Sequence, residues 1–367
     1  MKKAYIILQN GRVFEGRSFG ADGRTVGEIV FATGMTGYIE ALTDPSYYGQ
    51  ILVQTFPLIG NYGVIPSDFE SEGIHVNAYV VREYCDFPSN YRCEGRLDEW
   101  LKKNNIIGVC GVDTRALTEI IREYGVMNAY ITDTLPDPLV PDDVLTYSVK
   151  NAVASVSCKK SEFYPADTSP LYNVALYDFG AKLNIVRSLT KRGCNVTVFP
   201  SSTPAKDILS GNFDGIMLSN GPGDPKENID IILEMRKLLG KLPIFGICLG
   251  HQILALAAGA GTVKLKYGHR GGNQPVKDLE TGRIYITSQN HGYAVDSATL
   301  PKIAKLRYIN VNDGTVEGLE YPGMYAFTVQ YHPEACAGPR DSAYMFDEFL
   351  KLMEKFKVDN QAMKEDM

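Results

Sequence analysis

Short apolar runs recur at regular intervals in the second half of the chain, and stretches with helical periodicity separate several of them. The runs that predict buried strands are 174–177, 196–199, Gly215–Leu218 and Ile244–Ile247. The stretches that predict amphipathic helices are Leu183–Thr190 and 229–239. Strands that alternate with helices are typical of an α/β fold, so we predict an open, doubly wound, mostly parallel sheet.

The first half of the chain has a mixed pattern. Asn10-Gly11 lies between two apolar runs and predicts a hairpin, because both residues accept a positive φ. Asp113 or Thr114 can cap a helix that runs to Tyr124, and Gly125 supplies a left-handed stop. A further helix and a short strand are predicted at Leu97–Lys103 and 106–110. This half is therefore predicted to be a smaller α+β domain.

The two patterns meet at a segment of serine, lysine and proline without periodicity, which is typical of a linker. The predicted organisation is a first domain at 1–156, a linker at 157–172, a second domain at 173–358 and a polar, frayed tail at 359–367.

Composition and charge narrow the class of protein. With 367 residues, 44% of them hydrophobic, the chain is long enough for two cores. A net charge of −6 argues against nucleic-acid binding. The chain has no apolar run of eighteen residues and its amino-terminal apolar stretch is too short for a signal peptide, so we expect no membrane partner.

Cysteine usage points to a reducing compartment. The seven cysteines are an odd number without a C-x-x-C pair, which favours free thiols in the cytoplasm. Cys85 and Cys93 are the closest pair, and no histidine lies near them at metal-ligand spacing. The sequence thus predicts no metal site.

A cysteine that follows a predicted strand is the strongest candidate for chemistry. Gly246-Ile247-Cys248-Leu249-Gly250 has the spacing of a nucleophile elbow, a sharp strand-to-helix turn that exposes a nucleophile. The positive end of the following helix favours the reactive thiolate. The alternative is an inert packing cysteine. Packing does not require glycine on both sides of the thiol, whereas a tight turn does.

A nucleophilic thiol needs a base, and the base needs an orienting group. His332 ends the apolar run 326–331, Pro333 stops the strand there, and Glu334 is close enough along the chain to reach the imidazole. His251 is on the helix of the elbow and is expected to point away from the thiol. A plain surface loop is the alternative for His332-Pro333-Glu334.

A glycine-rich loop follows another predicted strand. Gly221-Pro222-Gly223 can turn backbone N–H groups toward a ligand without a Cβ in the way. The loop lacks the third glycine of a dinucleotide-binding turn, because Lys226 stands there. An oxyanion hole suits it better, with one donor from this loop and one from the N–H of Leu249.

These three motifs together resemble the class I glutamine amidotransferase family. Two more stretches resemble something narrower, the small, glutamine-hydrolysing subunits of carbamoyl-phosphate synthetases. They are Thr33-Gly34-Met35-Thr36-Gly37-Tyr38 with Thr43-Asp44-Pro45-Ser46-Tyr47 in the first half, and Gly268–Asn273 with Ser288–Tyr293 in the second. The resemblance runs from end to end.

The resemblance implies a nucleophile at Cys248, a general base and acid at His332 and an orienting carboxylate at Glu334. It implies glutamine-holding positions at Ser46, Gly221, Gly223, Leu249, Gln252, Asn290, Gly292 and Tyr293. It also implies ammonia transfer to a separate large subunit, which makes carbamoyl phosphate from bicarbonate and two ATP, with ATP and Mg on that partner and no cofactor on this chain. We expect a heterodimer whose product serves pyrimidine synthesis, arginine synthesis or both.

Purely structural interpretations remain for several of these positions. Ser46 can be a turn former, Gln252 a solvated helix residue, and Asn290-His291-Gly292 a hairpin turn. A glutaminase of an anthranilate or GMP synthetase is the nearest rival, and the stretch 33–47 argues against it. A catalytically silent regulatory module is a further alternative, and a papain-like protease lacks support because its local cysteine signature is absent.

Overall fold

The computed structural model describes residues 2–365, which divide into two compact units that meet at Ala152 and Val153. The first unit contains β1 (Lys3–Leu8), β2 (Val13–Gly20), β3 (Thr25–Ala32), α1 (Tyr38–Leu42), β4 (Gln50–Gln54), β5 (Leu58–Ile59), β6 (Ala78–Val80), β7 (Glu83–Tyr84), α2 (Leu97–Lys103), β8 (Ile107–Cys110), α3 (Thr114–Tyr124), β9 (Met127–Thr132) and α4 (Asp142–Thr146). The helix α5 (Ala152–Val156) lies at the boundary.

The strands of the first unit close into a barrel in the order β1-β2-β8-β6-β4-β3-β9. The predicted hairpin is confirmed, because β1 and β2 pair as antiparallel neighbours. The predicted cap is confirmed as well, since the Asp113 carboxylate accepts the N–H of Ala116 at 3.1 Å. Gly125 ends that helix with a positive φ of 92°, but its ψ of 174° is extended rather than left-handed. The sequence pattern did not predict closure of the barrel.

The second unit begins with β10 (Glu162–Tyr164), β11 (Tyr172–Asp178), α6 (Leu183–Thr190), β12 (Cys194–Pro200), α7 (Ala205–Leu209), β13 (Gly215–Leu218), α8 (Ile229–Leu238), β14 (Ile244–Ile247) and α9 (Leu249–Ala258). It continues with β15 (Thr262–Asp278), β16 (Ile284–Val295), β17 (Lys305–Asn310), β18 (Val316–Tyr321), β19 (Ala326–Val329) and α10 (Met345–Glu365).

These strands form one ten-stranded sheet in the order β10-β12-β11-β13-β14-β19-β18-β17-β15-β16. The block from β12 to β19 is parallel throughout. Its helices cover both faces, with α7, α8 and α9 in one apolar core and α6 and α10 in the other. The predicted doubly wound sheet is confirmed. The antiparallel extension β18-β17-β15-β16 was not predicted.

Two expectations at the ends of the second domain need correction. Within the predicted linker 157–172, residues Glu162–Tyr164 form a strand that pairs with β12, so part of this segment belongs to the sheet. Residues 359–365 of the predicted frayed tail continue the helix α10, and residues 366 and 367 lie outside the described residues. Among the residues that the structure describes, no helix combines the length and the apolar character needed to span a bilayer.

Candidate active site

Cys248 lies at the predicted strand-to-helix turn, between the end of β14 and the start of α9. Its φ of 52° and ψ of −103° are a strained conformation for a residue with a side chain. A Cβ at Gly250 would lie 2.4 Å from the carbonyl oxygen of Leu218, and one at Gly246 would lie 2.9 Å from Thr328. The two glycines therefore permit the tight turn, as the sequence predicted.

His332 reaches the same edge of the sheet because β14 and β19 are parallel neighbours. Ile247 pairs with Val329, so the residues that follow each of them leave the sheet side by side. The Nδ1 of His332 lies 2.7 Å from Oε1 of Glu334, to which it donates. The Nε2 has no partner with hydrogen-bond geometry among the described residues. This nitrogen is the one available to a thiol or a substrate.

The sulfur of Cys248 is close enough to affect that imidazole. Burial and the charge of Lys182 lower the pKa of His332, but Glu334 and Cys248 outweigh them and raise it to about 10. The thiol itself faces the carbonyl oxygen of Asn290 at 3.8 Å. The structure thus gives the Nε2 of His332 no hydrogen bond to the thiol, and catalytic hydrogen bonds are often long or poorly aligned before substrate binds.

Lys182 is the residue of this site that the sequence analysis missed. Its Nζ forms an ion pair of 2.8 Å with Oε1 of Glu334, and both side chains are buried. Burial alone would raise the pKa of Glu334, but Lys182 and His332 lower it to about 2. Glu334 is thus held as a carboxylate that accepts from the imidazole. The sequence offered a signal for Lys182, because this residue shortly follows a predicted buried strand, and sites in such sheets lie beyond the carboxyl ends of the strands. We call Cys248, His332, Glu334 and Lys182 the thiol cluster.

The glycine-rich loop follows β13 and is hydrogen-bonded to the elbow. Gly250 donates its N–H to the carbonyl oxygen of Ser219 at 3.0 Å. A Cβ at Gly221 would lie 2.2 Å from the carbonyl oxygen of Phe179, and Gly223 has a φ of 87°. Leu249 is the first residue of α9, so its N–H has no partner within the helix. The oxyanion hole that the sequence analysis assigns to this loop and to the N–H of Leu249 stays a prediction.

The strand β16 supplies the remaining predicted positions of this unit. Asn290, Gly292 and Tyr293 lie within the strand, so the alternative of a hairpin turn at 290–292 is wrong. Gln252 is buried rather than solvated, and its Nε2 donates to the carbonyl oxygen of Tyr293 at 2.7 Å and to Gln330 at 2.9 Å. Gln252 therefore connects α9 to the strand that faces the thiol.

Two other residues of the sequence analysis have hydrogen bonds within their own unit. His251 is buried and its Nδ1 lies 2.7 Å from the Oγ1 of Thr328, in agreement with the prediction that it points away from the thiol. Ser46 is in the first unit, where its N–H donates to the carboxylate of Asp44 at 2.9 Å. That contact agrees with the structural interpretation of Ser46 as a turn former. The glutamine-holding role of Ser46 stays a prediction.

Comparison with known families agrees with both halves of the chain. Residues 6–131 match the family model described as carbamoyl-phosphate synthase small chain, CPSase domain. Residues 175–352 match the model described as glutamine amidotransferase class-I.

Curated relatives match over nearly the whole length. A carbamoyl phosphate synthase small chain from Syntrophotalea carbinolica is 51% identical over 96% of this chain and 98% of its own. One from Clostridium perfringens is 51% identical over 95% and 99%, respectively. One from Archaeoglobus fulgidus is 50% identical over 97% and 100%. The similarity therefore includes the first unit, which the rival synthetase systems are expected to lack.

Proposed function

This chain belongs to the carbamoyl-phosphate synthase small-chain family, and from that premise we propose that it is the glutamine-hydrolysing subunit of such an enzyme. It hydrolyses glutamine to glutamate and ammonia and passes the ammonia to a separate large synthetase subunit. That partner makes carbamoyl phosphate from bicarbonate and two ATP, and it holds the ATP and Mg. This chain needs no cofactor for its own step.

The observation that carries the proposal is the alignment of Cys248, His332 and Glu334 at one edge of the sheet. Cys248 attacks the side-chain amide carbon of glutamine, and the N–H of Leu249 with one N–H of the glycine-rich loop stabilises the developing oxyanion. His332 transfers a proton to the leaving ammonia. A water molecule, activated by the same imidazole, then hydrolyses the thioester and releases glutamate.

Glu334 and Lys182 act on this chemistry through His332. The carboxylate fixes the imidazole with Nε2 toward the thiol, and its negative charge stabilises the imidazolium that forms when the thiol loses its proton. Lys182 keeps the carboxylate ionised although it is fully buried. Glu334 thus orients the base of Cys248 and stabilises its protonated form.

The predicted glutamine-binding positions carry polar groups that suit the amino-acid end of glutamine. We assign glutamine binding to Ser46, Gly221, Gly223, Leu249, Gln252, Asn290, Gly292 and Tyr293. Hydroxyl, amide and backbone groups of this kind can hold an α-carboxylate and an α-amine. We also place the chain in the cytoplasm, where a reactive thiol such as Cys248 stays reduced. The two domains, at 1–156 and 173–358, are assigned to the family-specific and glutamine-hydrolysing parts.

Replacing the nucleophile tests this function. In Cys248→Ser, glutamine-dependent glutamate release should fall on the order of 10³- to 10⁶-fold, because the triad acts as a unit. Synthesis of carbamoyl phosphate from added ammonia should persist in the complex with the large subunit, because that chemistry does not use the thiol. Cys85→Ser, in the first unit, is the matched control and should keep normal turnover. Glutamine-dependent turnover near wild type in Cys248→Ser would refute the assignment, and a silent regulatory module would show no glutaminase activity in the wild-type complex.

A further inference from the structure

A second group of buried histidine and carboxylate side chains lies in the antiparallel extension of the sheet. His269 is on β15, His291 is on β16 and Glu317 is on β18. The two histidines are directly paired across the ladder. One ligand atom from each of the three side chains lies within 4.8 Å of the others. We call these residues the two-histidine cluster.

Each histidine of this cluster is oriented by a partner on one ring nitrogen. The Nε2 of His269 lies 2.9 Å from the carboxylate of Asp313, and its Nδ1 faces Oε1 of Glu317 at 3.5 Å without hydrogen-bond geometry. The Nδ1 of His291 lies 2.7 Å from the carbonyl oxygen of Tyr293. Histidines that bind metals almost always donate the other ring N–H to a carboxylate or a backbone carbonyl in this way.

Glu317 has partners for both oxygens. Asn310 donates to Oε1 at 3.2 Å and Gln289 donates to Oε2 at 2.9 Å. The side chain is completely buried. A ligating carboxylate is commonly hydrogen-bonded by such neighbours, so all three side chains have the outer contacts of a metal ligand.

Both ring nitrogens of His291 face oxygen acceptors, and a bound cation would explain this arrangement. A neutral imidazole carries one N–H, and we assign it to Nδ1, which makes the shorter contact, 2.7 Å from the carbonyl oxygen of Tyr293. The Nε2 lone pair then faces Oε1 of Gln289 at 3.0 Å, which is also an acceptor. Two acceptors at this distance are stabilised when both coordinate the same positive ion.

We propose that His269, His291 and Glu317 bind one divalent cation of the zinc class, with Oε1 of Gln289 as the fourth ligand. Two imidazole nitrogens and a carboxylate oxygen are a donor set that zinc takes. A zinc–nitrogen distance of about 2.0–2.1 Å places neighbouring donors of a tetrahedron roughly 3.4 Å apart. The 3.5 Å between Nδ1 of His269 and Oε1 of Glu317 is close to that value, and the ligand atom of His291 lies within 4.8 Å of both.

The role of this ion would be structural. It would hold β15, β16 and β18 together next to the segment that carries Asn290 and Tyr293. Asn290 faces the thiol of Cys248 and Tyr293 accepts from Gln252, so the ion would stiffen one wall of the glutamine site. The sequence analysis predicted no metal site because it examined cysteine spacing, whereas these ligands are separated along the chain and meet only through strand pairing.

Metal content tests the proposal without reference to activity. The chain is purified without a histidine tag from cells grown with zinc, in a Cys248→Ser background so that the reactive thiol cannot bind the ion. We expect about one zinc ion per chain by mass spectrometry, and tetrahedral d–d absorption bands when the metal-free protein takes up Co²⁺. His269→Gln and Glu317→Gln should lose the ion, and Asp313→Asn should weaken Co²⁺ binding about 10- to 100-fold.

His75→Gln, in the first unit, is the matched control and should bind normally. A chain without zinc or Co²⁺ bands would overturn the proposal and leave a purely hydrogen-bonded cluster. Equal metal binding by the control, His269→Gln and Glu317→Gln would also overturn it. The Co²⁺ titration of the parent chain decides the question even where a substitution prevents folding, and its outcome is independent of the glutaminase assignment.

Discussion

The second unit buries two clusters that each contain histidine and glutamate, and the pKa of the glutamate is shifted in opposite directions in the two. In the thiol cluster, Lys182 and His332 overcome burial and lower the pKa of Glu334 to about 2. In the two-histidine cluster, burial raises the pKa of Glu317 despite the neighbouring His269. The main difference is the lysine, because an ammonium group lies 2.8 Å from the first carboxylate, whereas amides and a histidine surround the second.

This comparison shows that a buried histidine–carboxylate contact does not by itself define an active site. The thiol cluster has a cysteine with a strained backbone, an imidazole nitrogen without a hydrogen-bond partner among the described residues, and a lysine that keeps the carboxylate charged. In the two-histidine cluster the oriented imidazoles face a carboxylate and an amide oxygen, an arrangement suited to a cation. The two proposed roles, catalysis and metal binding, thus differ in which groups face the imidazole nitrogens.

The largest expected contrast comes from removing one member of each cluster. His332→Asn should lower the kcat for glutamine hydrolysis on the order of 10³- to 10⁶-fold, because the thiol loses its base. Glu317→Gln should leave kcat near wild type and raise KM a few-fold, since it affects only the wall of the site. Steady-state glutamate release measures both constants. Similar losses of kcat in the two variants would erase the functional distinction between the clusters.

Removing the lysine should have an intermediate effect. Lys182→Met leaves Glu334 buried without its cation, so we expect the free energy of unfolding to fall by about 3–5 kcal/mol. Lys351→Met removes an exposed pair with Glu348 and should leave stability at its wild-type value. Denaturant titrations monitored by circular dichroism compare the free energies of unfolding of the two variants. If Lys182→Met were as stable as the Lys351 variant, the lysine could not be what keeps Glu334 charged.

The pH dependence of stability should show the smallest but most specific difference. The pKa of Glu334 falls from 4.5 to about 2 on folding, so its contribution is complete above pH 4.5 and is lost as the pH falls toward 2. The magnitude is on the order of 3 kcal/mol. Acid unfolding of the wild type should therefore be steeper than that of Glu334→Gln between these pH values. Parallel acid transitions would show that the pKa of Glu334 is not lowered.

Local signals in the sequence predicted the strand-to-helix turn at Cys248 and much of the parallel sheet. The elbow was recognisable because Gly246, Cys248 and Gly250 act within one turn, where steric rules depend on a few adjacent residues. The helices Leu97–Lys103 and Leu183–Thr190 were predicted at the observed bounds, since periodicity is also local. The end of an apolar run at Pro333 also singled out His332 and Glu334, and the resemblance to known families then linked them to the distant Cys248.

The sequence by itself therefore determined the strained turn, the strand–helix alternation and the residue types available for chemistry. Only the tertiary structure decided that the barrel closes, that Lys182 forms an ion pair with Glu334, and that His269, His291 and Glu317 meet. The physical reason is that backbone sterics and amphipathic periodicity act between near neighbours in the chain. Electrostatic partners are chosen instead by strand order and register, which bring distant residues within a few ångströms inside a medium that screens charge weakly.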